Sequence, residues 1–340
     1  MIRRVWRTLE RALRGAETQA PRWSLHQQMY DRAVLIVRVY YVITLFMLYD
    51  RGRQFTILGL RVETLDPLWP VVWLDSVGLD LGGWILAHLA LAGGLLGILF
   101  WRRFWVRVLV SVALLQFVAL NNSFGWMGHA YHSWFWVSVA FWFLPSGRAA
   151  SIDATRASRM RFLLGFSAAP GLFLLFYSLS GVYKVVHAFA ALFTDDISGF
   201  APYAMATTLA WRTFETGSEP LWTSFVIQNP ILGWPLYLTL YYVELFAIVV
   251  FFRPRLHQLW GMLLIGFHIG TFLFMDITFP EHVLINGLLL VLSPFALGLT
   301  DWHRALVALP VIGPAFAAVL RHRAPLPPAI AARRMPDHAE

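Results

Sequence analysis

Gly171-Leu-Phe-Leu-Leu-Phe-Tyr-Ser-Leu-Ser-Gly-Val-Tyr-Lys184-Val-Val-His187 is an apolar run of membrane-spanning character, with one lysine inside it. Lys184 is also the only lysine among the chain's 27 Lys and Arg residues. Arginine stays protonated almost anywhere, whereas a lysine in an apolar site can lose its proton near neutral pH. An ionisable group in such a segment marks a functional site by default. The competing reading is a lysine that snorkels to the interface or pairs with a carboxylate.

The run belongs to a chain that is 58% hydrophobic and only 14% charged, which excludes a soluble globular domain. The expected class is all-α, a polytopic integral membrane bundle, with its 16 Trp suited to interfacial belts. The net charge of +8 does not point to nucleic acid, because the arginines flank hydrophobic segments instead of forming one basic module. The absence of cysteine excludes a disulfide framework, a thiol nucleophile and a zinc–thiolate centre.

Eight apolar spans are predicted, near 33–50, 82–100, 104–120, 131–145, 162–192, 231–252, 258–276 and 282–299. The fifth is long enough to tilt, to kink near Pro170 or to extend beyond the bilayer. Arginines outnumber acidic residues in every second connection: Arg102 and Arg103, then Arg148, Arg156, Arg159 and Arg161, then Arg253 and Arg255. The tails carry more, from Arg3 to Arg22 and from Arg304 to Arg334. The alternate connections hold Asp66, Asp75, Asp80, Asp195, Asp196, Glu215, Glu219, Asp276 and Glu281. The positive-inside rule therefore places both termini in the cytoplasm. Three regions follow: an Arg-rich cytoplasmic segment 1–30, a transmembrane domain 31–300, and a C-terminal interfacial segment and tail 301–340. No apolar core with a cleavage site follows Arg3-Arg4, so a cleaved signal peptide is not expected. Val5, Trp6, Leu9 and Leu13 suit either a membrane-surface helix or a disordered tail. The short apolar run 305–320 reads as interfacial or packed.

Polar residues converge toward the outer half of this frame. Lys184 and His268 each come roughly 12 Å inside the outer ends of their spans, and Glu244 lies several ångströms deeper. His129 and His132 sit at the outer mouth of span four, spaced for two metal ligands or for interfacial hydrogen bonds. His268 suits a pocket or an interhelical hydrogen bond, and Glu244 either orients a ligand or neutralises Lys184. His187 marks the wet end of its helix, while His88 and Gln116 read as packing residues. Arg38 and Arg107 are expected to snorkel.

Four stretches share a pattern with a known family. They are Asn121-Asn-Ser-Phe-Gly-Trp-Met-Gly-His129-Ala-Tyr131-His132; Phe176-Tyr177-Ser-Leu-Ser180-Gly181-Val-Tyr-Lys184; Tyr242-Val-Glu244; and Phe267-His268 with Leu292-Ser293-Pro294. In this order, from about residue 30 to residue 300, the chain resembles the horizontally transferred transmembrane (HTTM) domain. That domain is the membrane portion of vitamin K-dependent gamma-glutamyl carboxylase and its bacterial relatives.

The resemblance implies a bacterial cytoplasmic (inner) membrane protein with lyase chemistry. Its cofactor would be a reduced vitamin K-type naphthoquinol. In the carboxylases, a lysine deprotonates the quinol, oxygenation yields a basic alkoxide, and carbon dioxide adds to a glutamate carbanion while the quinone becomes an epoxide. Carried over, Lys184 is the base, and His129 hydrogen-bonds the quinone oxygen or stabilises developing charge. His268, Glu244, Tyr177, Tyr131, His132 and Asn122 line or orient the pocket. The animal carboxylase continues into a long extramembrane region that grips its substrate, where only residues 301–340 follow here. Two functions are therefore carried forward. One is quinol-dependent oxygenation or carboxylation; the other is non-enzymatic quinone or lipid binding that assists maturation or export of a secreted peptide. A transporter coupled through Lys184 and Glu244 is the third reading, and the lack of inverted repeats argues against it.

Overall fold

The computed structural model describes residues 22–58, 65–125, 128–129, 131–147, 155–194, 196–297 and 301–323. The expected N-terminal surface helix, Arg148, Asp195 and the C-terminal tail lie outside these residues. The chain is 80% helical with no strands among the described residues. Its main elements are α1 (Arg22–Leu58), α2 (Leu79–Phe100), α3 (Phe104–Asn121), α4 (His132–Ala140) and α5 (Arg156–Ala190). They continue with α6 (Ala204–Thr216), α7 (Thr223–Gln228), α8 (Pro230–Leu245), α9 (Ala247–Phe251) and α10 (His257–Met275). The last are α11 (Pro280–Asn286), α12 (Trp302–Val307) and α13 (Gly313–Arg323).

Five helical stretches are long and apolar enough to cross a membrane: Leu25–Asp50, Leu79–Phe100, Phe104–Asn121, Arg156–Phe193 and Pro254–Met275. They turn large apolar side chains outward, including Phe46, Trp84, Leu99 and Leu179, all exposed. Such a surface suits hydrocarbon and not water, so the protein is an integral membrane protein.

The other three expected spans are shorter or broken helices, each for a local reason. The span expected at 131–145 begins only after Tyr131, whose φ of 64° puts it in the left-handed region. It ends with a 3₁₀ turn, Phe141–Phe143, because Leu144 precedes Pro145 and takes an extended backbone. The span at 231–252 breaks at Phe246 into α8 and α9. The span at 282–299 is α11 running into a π-helical turn, Gly287–Val291, closed by Leu292 N–H donating to Gly287 O at 2.9 Å. Helix α5, by contrast, runs through Pro170 without interruption.

The core forms where α1, α3, α4 and α5 meet. Tyr40 stacks on Trp134 with ring centres 4.7 Å apart and donates to Trp134 O at 2.7 Å. The Trp134 indole N–H donates to Thr44 Oγ1 at 2.8 Å, so these buried polar atoms satisfy one another. The connection after α5 carries a helix not expected from the sequence, α6, with Trp211 and Phe214 exposed. The run 305–320 folds into parts of α12 and α13 and packs back on α8, where Tyr242 donates to Pro310 O at 2.6 Å.

Arg107 corrects the expectation of snorkelling, because it is fully buried. Its guanidinium donates to Trp101 O at 3.0 Å, Leu144 O at 2.5 Å and Ser146 Oγ at 3.0 Å. It thereby ties the ends of α2 and of the 3₁₀ turn after α4 to α3. A charged hydrogen bond contributes about 1.5–3 kcal/mol, and lysine cannot reproduce the planar fork. Arg107→Lys and Arg107→Met are both expected to lose about 2 kcal/mol or more of stability. The loss should appear as a lower unfolding midpoint in detergent.

Candidate functional site

The site begins where α5 touches the end of α8. A β-carbon at Gly181 would lie 2.3 Å from Leu245 N and 2.6 Å from the Glu244 carbonyl carbon, so only glycine permits this approach. The break between α8 and α9 is held from α5 as well. Ser178 Oγ donates to Leu245 O at 3.1 Å and accepts from Ile248 N–H at 2.8 Å. It supplies the partners that the interrupted helix lacks.

One turn beyond Gly181, Lys184 Nζ donates to Glu244 Oε1 at 2.6 Å and to Oε2 at 2.5 Å. Ser180 Oγ reaches Oε2 at 3.4 Å. The pair is lopsided: the Glu244 side chain is 3% exposed and that of Lys184 is 32% exposed. Glu244 therefore depends on the lysine for its charge, while the ammonium keeps a side open. The Phe267 ring centre lies 5.9 Å from Nζ, within reach of a cation–π contact.

Two helical turns before Lys184, about 10 Å along α5, Tyr177 organises a second cluster. Its hydroxyl lies 2.6 Å from His268 Nε2, and Asn286 Nδ2 donates to it at 3.2 Å. The same Asn286 amide donates to His282 O at 2.8 Å, which fixes its orientation. With Asn286 donating to the phenol oxygen, the hydroxyl proton is best used on His268 Nε2. The neutral imidazole then carries its own proton on Nδ1. His268 Nδ1 is buried and has no partner among the described residues, and neither has Asn286 Oδ1. The His282 imidazole lies 4.8 Å from that of His268, stacks on Phe279 and reaches Ser133 Oγ of α4 at 3.5 Å.

The residues near the start of α4 form a separate group. Asn122 Oδ1 accepts from Gly128 N–H at 2.7 Å, and Asn122 Nδ2 donates to Val118 O at 2.9 Å and faces His132 Nε2 at 3.3 Å. The His129 and His132 ring centres are 6.1 Å apart, and Tyr131 is buried edge-on against Phe117. Asn122 thus shapes the loop that leads into α4. His129 is exposed, and no hydrogen bond among the described residues joins it to Lys184, Glu244 or Tyr177. It does lie within electrostatic reach of His282. Among the described residues, no group of three or more His, Asp or Glu converges as a metal site requires.

Of the residues expected at the site, Lys184 and Glu244 meet directly, and Tyr177 meets His268. Sequence reasoning missed Asn286, His282's ring contact and Ser133. The glycine at 181 and the serine at 178 were the signal for the helix approach, but not for its partner. His187 stacks on Tyr183, Gln116 bridges Trp73 Nε1 and Pro70 O, and His88 contacts Trp84 O.

Comparisons of the chain with protein-family models, with curated proteins and with solved structures give no match. The site must therefore be read from its own chemistry.

Proposed function

We propose that this protein crosses the bacterial cytoplasmic membrane eight times with both termini inside. In this reading it has an HTTM-like domain and presents Lys184 and Glu244 in the outer half of the bilayer as a proton-accepting pair for a membrane-borne hydroquinone. The observation that carries the reading is the bidentate contact between the chain's one lysine and a buried carboxylate. Moving the shared proton from the ammonium to the carboxylate gives a neutral amine beside a neutral acid. The amine then takes the hydroquinone's O–H proton. The ammonium so formed balances the hydroquinone anion, and the protonated acid retains the first proton. His268 Nδ1–H, buried without an acceptor among the described residues, is suited to donate to a ligand oxygen. The polar residues His129 and His132 would lie at the outer mouth.

The test is epoxide formation from reduced naphthoquinone and dioxygen by the reconstituted protein. Wild type is expected to turn over, and Lys184→Ala and Lys184→Arg are expected to lose at least about a hundredfold, the usual contribution of a positioned acid–base group. Turnover that is unchanged in both variants removes Lys184 from the mechanism.

The second reading is favoured by the same distances. Both Glu244 oxygens already occupy the Lys184 amine, as in a pair that only fixes helix packing. The protein then binds a quinone or lipid without transforming it, and assists maturation or export of a secreted peptide. Naphthoquinone in the lipid extract of purified protein, with no epoxide formed, selects this reading.

A further inference from the structure

A cleft of about 330 Å³ lies between α6, α8 and α10. On α10 its lining runs from Met262 to Met275, a rise of about 20 Å, comparable to one leaflet of hydrocarbon. Its three threonines spend their hydroxyl protons on the backbone, and Tyr237 brings the one other hydroxyl to the lining. Thr208, Thr239 and Thr271 donate to the carbonyls of Ala204, Pro235 and His268 at 2.9, 2.8 and 2.8 Å. The wall on α10 is hollowed by Gly266 and Gly270, one turn apart. A β-carbon at Gly266 would meet nothing within 4 Å, and one at Gly270 only the Phe274 ring edge at 3.9 Å. Leu236 and Met262 line the cleft and are also exposed, so its side is open toward the lipid.

The cleft adjoins the polar site at Phe267. Phe267 lines it and also stands against Lys184 Nζ, and Val243 lines it beside Glu244. We propose that the cleft holds a single linear hydrocarbon chain of a membrane amphiphile, whose polar end lies past Phe267 at the Lys184–Glu244 pair. The length, the spent threonine protons, the lateral opening and the glycine hollow suit an extended apolar chain. The chain is a prenyl or an acyl tail, which share this chemistry. The inference rests on the reading of Lys184–Glu244 as the polar end of the same site.

The experiment uses the full chain in lipid nanodiscs with two photoreactive probes. One is a naphthoquinone carrying a diazirine in its prenyl tail, and the other is a phosphatidylethanolamine carrying a diazirine in one acyl chain. Labelling is expected on Met262, Phe274 or Met275, and unlabelled probe should compete for it on the wild-type protein. Gly266→Leu fills open space, so it should fold normally and cut labelling about tenfold, as exclusion of two methylenes would. The double variant Lys184→Met/Glu244→Leu, which leaves no buried charge unpaired, should abolish turnover while leaving tail labelling in place. That outcome separates failure at the polar end from failure of the cleft. Labelling by the phospholipid probe alone supports the cleft and counts against the quinol reading. Uncompeted labelling spread over outward residues such as Phe46 and Leu99, or labelling indifferent to Gly266→Leu, overturns the inference even if the wild type turns over quinol.

Discussion

Lys184→Met is expected to destabilise the protein by about 3–5 kcal/mol, because it leaves the buried Glu244 carboxyl without its cation. Glu244→Gln should cost much less, about 1 kcal/mol, because the ammonium it releases is one-third exposed and can turn toward water or lipid phosphate. The double variant Lys184→Met/Glu244→Leu is expected to recover most of the loss, since an apolar pair of similar volume carries no desolvation penalty. Adding the single variant Glu244→Leu closes a double-mutant cycle, and unfolding midpoints in one detergent then measure the pair. Equal, small effects from both single variants would mean that the contact carries no energy. This asymmetry follows from burial, not from the charges, and it separates a true intramembrane pair from a surface bridge.

Gly181→Val is the second large effect. Its β-carbon would need space already held by the backbone of Glu244 and Leu245, which cannot give as a flexible side chain can. Overpacking of this kind costs about 1–3 kcal/mol and occasionally more, and here the upper end is expected. Pushing α5 from α8 also separates Lys184 from Glu244, so function should fall with stability. Gly266→Ala is the matched control on another helix. Its β-carbon meets open space, so relief of the glycine penalty should stabilise by up to about 1 kcal/mol. A thermal melt of the two variants beside wild type checks both signs. Similar midpoints for both would show that the close helix contact is not needed.

Much of the frame was legible in the chain itself. Apolar runs marked every long helix, because a helix satisfies the backbone in hydrocarbon within one segment. Where three expected spans break, the causes were only partly readable. Pro145 announces the end of the helical segment after Tyr131, but the gap at Phe246 depends on Ser178 reaching across from another helix. The π-helical turn after Asn286 has no comparable mark in Gly-Leu-Leu-Leu-Val. Helix α6 escaped notice because its 13 residues, too few to span, look like a connection by hydropathy alone.

At the site, the lone lysine and the one carboxylate at comparable depth pointed to each other, and the structure joins them. Asn286 was invisible because an asparagine in an apolar helix announces nothing until its neighbours are known. Arg107 misled for the opposite reason: its position near a helix end fits snorkelling, yet three carbonyl and hydroxyl partners fold over it.

Nitrogen NMR of protein labelled only at lysine Nζ tests the central claim most directly, because the chain has one lysine and hence one side-chain resonance. The claim that Lys184 shares its proton with Glu244 predicts a signal displaced from that of a free ammonium. It should move toward the free value in Glu244→Gln and shift again when a reduced naphthoquinone is added to the wild type. A resonance indistinguishable from solvated lysine, and indifferent to both changes, would contradict it.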